Sequence, residues 1–162
     1  MNQASIRELL ASYASVMEQL RERGVVRSSN NPVADYCESL VVRALGLKRS
    51  VASTKGCDAV DTMTEERYEI KGRRITKHNP STQLSVIRDI ESCHFDYLAG
   101  VLFDEDFTVA RACRIPRETV EKLAVPREHV NGRILLLRPS VWDQPGVRDI
   151  TAELMKAQRE WI

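Results

Sequence analysis

The chain has 162 residues, of which 43% are hydrophobic and 29% charged, and its 24 Lys and Arg against 23 Asp and Glu give a formal net charge of +1. This composition excludes a disordered chain and a histone-like protein that coats nucleic acid by net charge alone. The length predicts one globular domain, whose core needs no disulfide or metal to fold.

Two helices are predicted in the first part of the chain. Ser5 and Glu8 have the spacing of a capping box, and apolar residues at helical intervals follow them until Gly24 ends this first helix. Asn31 can cap a second helix, which ends at Gly46.

The apolar pattern then changes to the period of strands. Two hairpins are predicted, one around a turn at 63–64 and one around the acidic turn 104–106. Their four strands are 57–62, 67–74, 97–103 and 107–115.

Helical spacing returns between and after the hairpins. Gln83, Leu84, Ile87 and Ile90 predict a third helix over 83–90. Three more elements follow, and they are a short helix ending at Leu123, a strand over 133–137 and a helix capped by Asp149 that ends near Glu160. The predicted order is ααββαββαβα.

The first hairpin brings acidic side chains together. A turn centred between Met63 and Thr64 sets Asp58 opposite Glu69, and the alternation of strand side chains puts Lys71 on the same face. Two opposed carboxylates destabilise a sheet, so a bound cation would explain them, and carboxylate oxygens suit Mg²⁺. Asp61 is a rival ligand, but it falls on the opposite face and is expected to be structural.

Glu38 is a third carboxylate of interest. In helical projection it lies between Val42 and Leu45, within an apolar sector of the second helix. A carboxylate in such a place needs a cation, a hydrogen-bond network or a proton. The alternative is a helix-edge residue paired with a neighbouring arginine.

These residues resemble a known family. Asp58, ten intervening residues and then Glu69-Ile70-Lys71, preceded by a helix with Glu38, resemble the restriction-endonuclease-like PD-(D/E)xK nuclease superfamily over roughly residues 31–115. The chain is also similar to bacterial proteins of unassigned role with a Ser-Thr-Lys-Gly-x-Asp stretch, here 53–58. Cys57 stands where the family pattern has Pro.

The resemblance implies an α/β (α+β) fold with a central mixed sheet of about four to five strands flanked by helices. Within a single domain spanning 1–162, it implies an N-terminal helix extension over 1–30. A nuclease core would occupy 31–115, and a C-terminal strand and helices 116–162.

The resemblance also implies an activity, namely metal-dependent hydrolysis of phosphodiester bonds in DNA, in restriction, defence or repair. Asp58 and Glu69 would hold Mg²⁺, or Mn²⁺ as a substitute, with the carbonyl of Ile70 as a further ligand. Lys71 would position water and steady charge on the phosphate, and Glu38 would bind a second metal or orient water.

A basic segment next to these residues predicts a DNA-binding surface, although a solvated strand end is the alternative. Gln83 could add a contact to phosphate or to the metal-bound water, although a helix-edge amide is the plainer interpretation. The candidate nucleic-acid-binding residues are Lys55, Arg73, Arg74, Lys77 and Gln83.

Two other function classes stay open. One is a catalytically weak or inactive nuclease fold that acts as a nucleic-acid-binding or protein-interaction module, and the other is a structural or regulatory protein that never meets nucleic acid. A symmetric homodimer that forms through the first or the last helix would place one active site on each strand of a DNA duplex.

The expected location is the cytoplasm, because no apolar run approaches the roughly 20 residues of a membrane span and no signal peptide is recognisable. The four cysteines are expected to be reduced thiols, since their spacing does not suit zinc.

Overall fold

The computed structural model describes residues 3–51 and 56–162. Within these ranges the chain has a mixed α/β fold of four α-helices and eight strands. The helices are α1 (Ile6–Glu22), α2 (Val33–Leu45), α3 (Arg117–Leu123) and α4 (Thr151–Glu160). The strands are β1 (Lys48–Arg49), β2 (Ala59–Val60), β3 (Arg67–Arg74), β4 (Tyr97–Phe103), β5 (Val109–Pro116), β6 (Val125–Arg127), β7 (Gly132–Ile134) and β8 (Arg148–Asp149). None of the helices in this part of the chain is long and apolar enough to cross a membrane.

A mixed sheet of six strands forms the centre of the described structure, one strand more than the upper end of the predicted range. The strand order is β1-β2-β3-β4-β5-β8, and β6 pairs with β7 in a separate two-stranded sheet. Neighbouring strands of the large sheet are antiparallel except β3 and β4, which run parallel from the pair Tyr68 and Tyr97 to the pair Arg74 and Phe103.

Each face of the large sheet has its own hydrophobic core. The first face is covered by α2 and α4, whose Leu40 and Leu154 pack with Ile70 and Phe103 of the sheet. The second face is covered by α3 and by two segments that lie mostly outside regular strands and α-helices, 81–92 and 135–142, in a core that includes Phe95 and Leu98. Because side chains alternate along β3, its odd-numbered residues point to the second face.

Most local signals in the sequence are confirmed. The Ser5–Glu8 capping box is present, and Gly46 ends α2 with a left-handed φ of 64°. The second hairpin forms around 104–106. The first hairpin has the predicted register, with Ala59 opposite Tyr68, although its first strand is only two residues long. The four cysteines are free thiols.

The predicted helix over 83–90 is wrong. This segment is extended and pairs with the chain after β6, through Gln83 with Leu136 and Ile87 with Arg133, before a 3-10 helix at Ile90–Ser92. Leu84 and Ile87 are buried as the periodicity required, but their backbone N–H groups donate to Leu135 and Arg133 rather than within a helix. An eight-residue helix is marginal by itself, so tertiary pairing can outcompete it.

Gly72 on β3 allows the close approach of α2 to the sheet. A Cβ at this position would lie 2.8 Å from both Cβ and Sγ of Cys37 and 3.3 Å from the Phe103 ring. We expect Gly72→Ala to lower the free energy of unfolding by about 1–3 kcal/mol through overpacking, as measured by urea denaturation. Cys37→Ala removes the contact with Sγ, so the double variant Gly72→Ala with Cys37→Ala should be more stable than the sum of the two single changes predicts. An unchanged urea midpoint in Gly72→Ala would contradict this account of the packing.

Candidate active site

Two of the three residues predicted to form an acidic site, Glu69 and Lys71, lie on the second face of the sheet. Tyr68 and Ile70 of β3 are buried in the first core, so the alternating Glu69 and Lys71 point the other way. Asp58 immediately precedes β2, where its N–H donates to the Tyr68 carbonyl and its Oδ2 accepts a 2.7 Å hydrogen bond from the Ile70 N–H. The charges of Glu69 and Lys71 both act on its carboxylate. The three predicted side chains therefore come together.

Asp58 lies in an environment that opposes its negative charge. Burial is the main cause and the Glu69 carboxylate the next, and together they raise the pKa of Asp58 to about 6. The charge of Glu38 acts in the same direction, whereas a 2.7 Å hydrogen bond from the Ile70 N–H to Asp58 Oδ2 and the charge of Lys71 oppose it. The carboxylate pair therefore has an excess of negative charge.

Lys71 compensates part of this excess. Its Nζ lies 2.7 Å from Glu69 Oε1, and only 19% of the Lys71 side chain and 13% of the Glu69 side chain are exposed. Because both side chains are largely buried, solvent screens this ion pair less than it screens a surface pair. Its charges therefore act strongly on a ligand that binds beside it.

His94 joins the site, although no pattern in the sequence indicated it. Its Nε2 lies 3.7 Å from Glu69 Oε2, and its Nδ1 lies 3.0 Å from the carbonyl oxygen of Asp89 and 3.1 Å from Ser92 Oγ. Because a carbonyl oxygen only accepts hydrogen bonds, we assign the proton of the neutral ring to Nδ1. Nε2 is then the nitrogen free to accept a proton or a hydrogen bond near Glu69.

Glu69, Lys71 and His94 line an open pocket of about 560 Å³. The opposite wall comes from the irregular segment that the sequence predicted as a helix. Its contribution includes a cation, Arg88, and an acid, Asp89. The remaining lining residues are Gly56, Val86 and Ser92.

Glu38 lies close enough for its charge to raise the Asp58 pKa, but it is held by arginines. Arg27 Nη2 lies 2.6 Å from Glu38 Oε2, and Arg49 Nε lies 3.6 Å from the same oxygen. The ion-paired alternative from the sequence is therefore the observed arrangement, at a place next to the site.

The charge balance at Asp58 and Glu69 fits a hard divalent cation, because Mg²⁺ is commonly held by one or two carboxylates while water and phosphate oxygens complete its coordination. Within 3–51 and 56–162, no group of three or more His, Cys, Asp and Glu side chains is arranged to hold a metal ion. The Ile70 side chain is buried in the first core, so only its main chain can contribute.

Asp61 performs the structural role expected of it. Its Oδ1 accepts hydrogen bonds from the N–H groups of Met63 at 2.8 Å and Thr64 at 3.3 Å, which closes the turn of the first hairpin. This contact explains an aspartate at the turn without any ligand.

The basic residues after Lys71 separate into two groups. Arg73 shares the alternation of Lys71, and its Nε donates to the Ser81 carbonyl at 3.1 Å. Arg74 belongs to the other face, where its guanidinium lies 4.6 Å from the centre of the Phe107 ring. Lys77 is exposed in the turn closed by Thr76 and Asn79.

Two other candidate DNA contacts have different outcomes. Gln83 is exposed and strand-like, since its predicted helix does not form, and it is not part of the pocket lining. Lys55 lies outside the described residues. Arg88 is the cation at the pocket that the sequence patterns missed, because the predicted helix obscured the turn of the chain that brings it there.

Comparison with known proteins assigns no family to the chain. No protein-family model matches it, and no curated protein matches its sequence. Membership of the PD-(D/E)xK superfamily therefore stays a prediction, based on Glu38, Asp58, Glu69 and Lys71.

Proposed function

We propose that this chain is a metal-dependent nuclease that hydrolyses phosphodiester bonds in DNA, with a restriction-endonuclease-like core built on the mixed sheet. The observation that carries the proposal is the proximity of the Asp58 carboxylate to Glu69 and Lys71, the latter two of which line an open pocket. A structural ion pair needs only one carboxylate for Lys71. Glu69 already pairs with Lys71, so Asp58 is an additional carboxylate, and the Glu69 charge opposes its ionisation. Such an additional carboxylate favours a site for a cation.

Asp58 and Glu69 would hold Mg²⁺, with the Ile70 carbonyl as a further ligand and Mn²⁺ as a substitute. When bound, the metal would supply a Lewis acid that polarises the phosphate and lowers the pKa of a coordinated water. The protein contributes the fixed positions of the two carboxylates, which the hydrogen bond from the Ile70 N–H and the ion pair with Lys71 maintain.

Lys71 and His94 would act on the substrate side of the site. The Lys71 ammonium presents positive charge at the pocket, where it would stabilise the charge that develops on the phosphate. His94, with Nδ1 bonded to the Asp89 carbonyl, would orient water through Nε2. Glu38 adds negative charge near Asp58. To bind a second metal ion or to orient a water, Glu38 would have to release its ion pair with Arg27.

A polynucleotide suits the surface around this site. The pocket is open, so a long chain could cross it, and Lys71 and Arg88 are on its walls. Arg73 follows on the same face of β3, and Lys77 is exposed beyond the strand end. Several positive groups on one surface favour binding of a phosphate backbone.

Purified protein incubated with single-stranded, duplex and branched DNA tests the proposal. We expect cleavage of at least one substrate with Mg²⁺ or Mn²⁺ and none when EDTA removes the metal. If no substrate is cut with either metal, the nuclease assignment is wrong.

A binding module is the second candidate function, and the engagement of Glu38 by two arginines favours it. This candidate predicts metal-independent DNA binding that weakens steeply with salt and is accompanied by no cleavage. Titration of labelled DNA at several salt concentrations distinguishes it from a protein that does not bind nucleic acid at all.

His94 gives a test that does not involve the carboxylates. We expect His94→Ala to lower the cleavage rate by about 10- to 100-fold, because it removes a partner of a proposed metal ligand. DNA affinity should change little, which separates the rate from binding. His78→Ala, in an exposed turn, is the matched control and should cut normally. A variant at position 94 that keeps the full rate would exclude the role given to His94.

A further inference from the structure

Helix α1 carries a continuous apolar face that the rest of the described chain does not cover. Seven apolar residues share roughly one third of the helix circumference. Two of them are buried or partly buried, Met17 and Leu20, whereas Ile6 is 74% exposed, Leu9 56% and Leu10 63%. The other two are Tyr13 and Val16, which are 50% and 53% exposed.

The first turns of α1 lack support from the body of the protein. Met17 is the buried residue of this helix, and it packs with Val25 and Val26 in a small third core. Residues 6–16 are all exposed. Because isolated helices shorter than about 12–15 residues are marginal in water, this part of α1 would gain much of its stability from a partner.

A cleft beside the second half of α1 continues the apolar surface. It has a volume of about 550 Å³ and lies between the helix and the body, with Val16 and Leu20 on one wall and Tyr36 and Phe107 on the other. The exposed surface thus consists of a ridge in the first half of α1 and a groove along the second half.

This ridge and groove are complementary to a second copy of themselves. In an antiparallel pair with its two-fold axis near Tyr13, the ridge of one α1, formed by Ile6, Leu9 and Leu10, would lie along the groove of the other. A two-fold axis makes both contacts identical, as isologous dimers require. The antiparallel orientation also brings opposite ends of the helix dipoles together.

Charge and area are consistent with this occupant. No charged residue lies between the seven apolar ones on the helix projection. Ser12 and Gln19 border the face on one side, and Arg21 and Ala14 border it on the other. A standard interface buries about 800 Å² per partner, and isolated apolar patches on monomers rarely exceed about 300–600 Å². Five large side chains exposed by half or more, together with the groove, provide apolar surface of the size that a dimer needs.

We propose that this face of α1 and the adjacent cleft form the interface of a symmetric homodimer with antiparallel α1 helices. The inference stands on the surface alone and does not depend on the proposed nuclease activity.

Sedimentation equilibrium of the full chain over a wide range of concentrations tests the proposal. We expect a dimer, and we expect Leu9→Glu to raise its dissociation constant by at least about a hundredfold, because it buries an unpaired charge twice. Ser15→Glu adds the same charge on the opposite side of α1 and should leave the dimer intact. Circular dichroism would check that both variants are folded.

Crosslinking tests the antiparallel arrangement separately. In a Cys93→Ala background, which removes the exposed native thiol, Tyr13→Cys should form a disulfide-linked dimer on oxidation and Ser15→Cys should not. The proposal is overturned if the wild-type chain is monomeric at all concentrations or if Leu9→Glu dimerises as well as the parent. A monomer that binds vesicles of phosphatidylcholine and phosphatidylglycerol through Leu9 would also overturn it.

Discussion

Lys71→Met should reduce the rate of Mg²⁺-dependent DNA cleavage by at least about a hundredfold, the effect of losing one preorganised charge at the reacting phosphate. The Lys71 ammonium lies 2.7 Å from Glu69 and lines the pocket, so no other cation on β3 can replace it at that point. Methionine keeps the length of the side chain and removes the charge. Cleavage rates at saturating DNA, together with DNA affinity from a binding titration, measure the change.

Three controls make this result specific to the site. Lys156→Met changes an exposed lysine on α4, remote from the pocket, and should keep the parent rate. Asp58→Ala and Glu69→Gln should lose cleavage to a similar extent while binding DNA. If Lys71→Met and Asp58→Ala both cut as fast as the parent chain, the assignment of the site is wrong.

Asp58→Asn should increase the free energy of unfolding at pH 7–8 by about 1–3 kcal/mol when EDTA is present. The folded-state pKa of Asp58 is about 6, above its ordinary value of 3.8, so the folded state binds this proton more tightly than the unfolded state. Ionised Asp58 therefore lowers stability above pH 6. The asparagine amide oxygen can still accept the hydrogen bond from the Ile70 N–H.

The gain in stability from Asp58→Asn should depend on pH. The stability difference between Asp58→Asn and the parent should be complete above about pH 6 and should shrink as the pH falls towards 4, where the parent carboxylate becomes protonated. Urea denaturation at a series of pH values measures it. Asp61→Asn, at the turn of the same hairpin, is the matched control and should match the parent throughout.

Magnesium should narrow or reverse the difference in stability between Asp58→Asn and the parent. A cation that binds the folded parent stabilises it in proportion to its occupancy, whereas Asp58→Asn loses a ligand and should respond weakly. The gap measured in EDTA should therefore narrow or change sign with Mg²⁺. If the parent and the variant have equal stability in EDTA and respond equally to Mg²⁺, Asp58 and Glu69 do not form a cation site.

The sequence predicted the features that depend on near neighbours. The capping box of α1 and the left-handed Gly46 involve backbone groups a few residues apart. The turn at 63–64 sets the register of the first hairpin, which brings Asp58 near Glu69, and the alternation of strand side chains puts Glu69 and Lys71 on one face. Local spacing is therefore enough to group these three side chains.

The opposite wall of the pocket could not be predicted in this way. Leu84, Ile87 and Ile90 recur every three residues, a spacing that suits a helix and also an irregular segment packed on a sheet. Pairing with Leu135 and Arg133, far along the chain, selected the extended form. The strands β1, β6 and β8 have only two or three residues, too few to show any period.

The sequence by itself therefore determined the two helices at the start, the two hairpins and the grouping of Asp58 with Glu69 and Lys71. Only the tertiary structure decided that β3 and β4 are parallel and that His94 lies beside Glu69 with Arg88 on the same pocket. It alone also decided that Arg27 and Arg49 hold Glu38. The physical reason is range: capping, turns and alternation act within a few residues. The pocket depends on contacts between segments that are far apart along the chain, and such contacts leave no periodic pattern in the sequence.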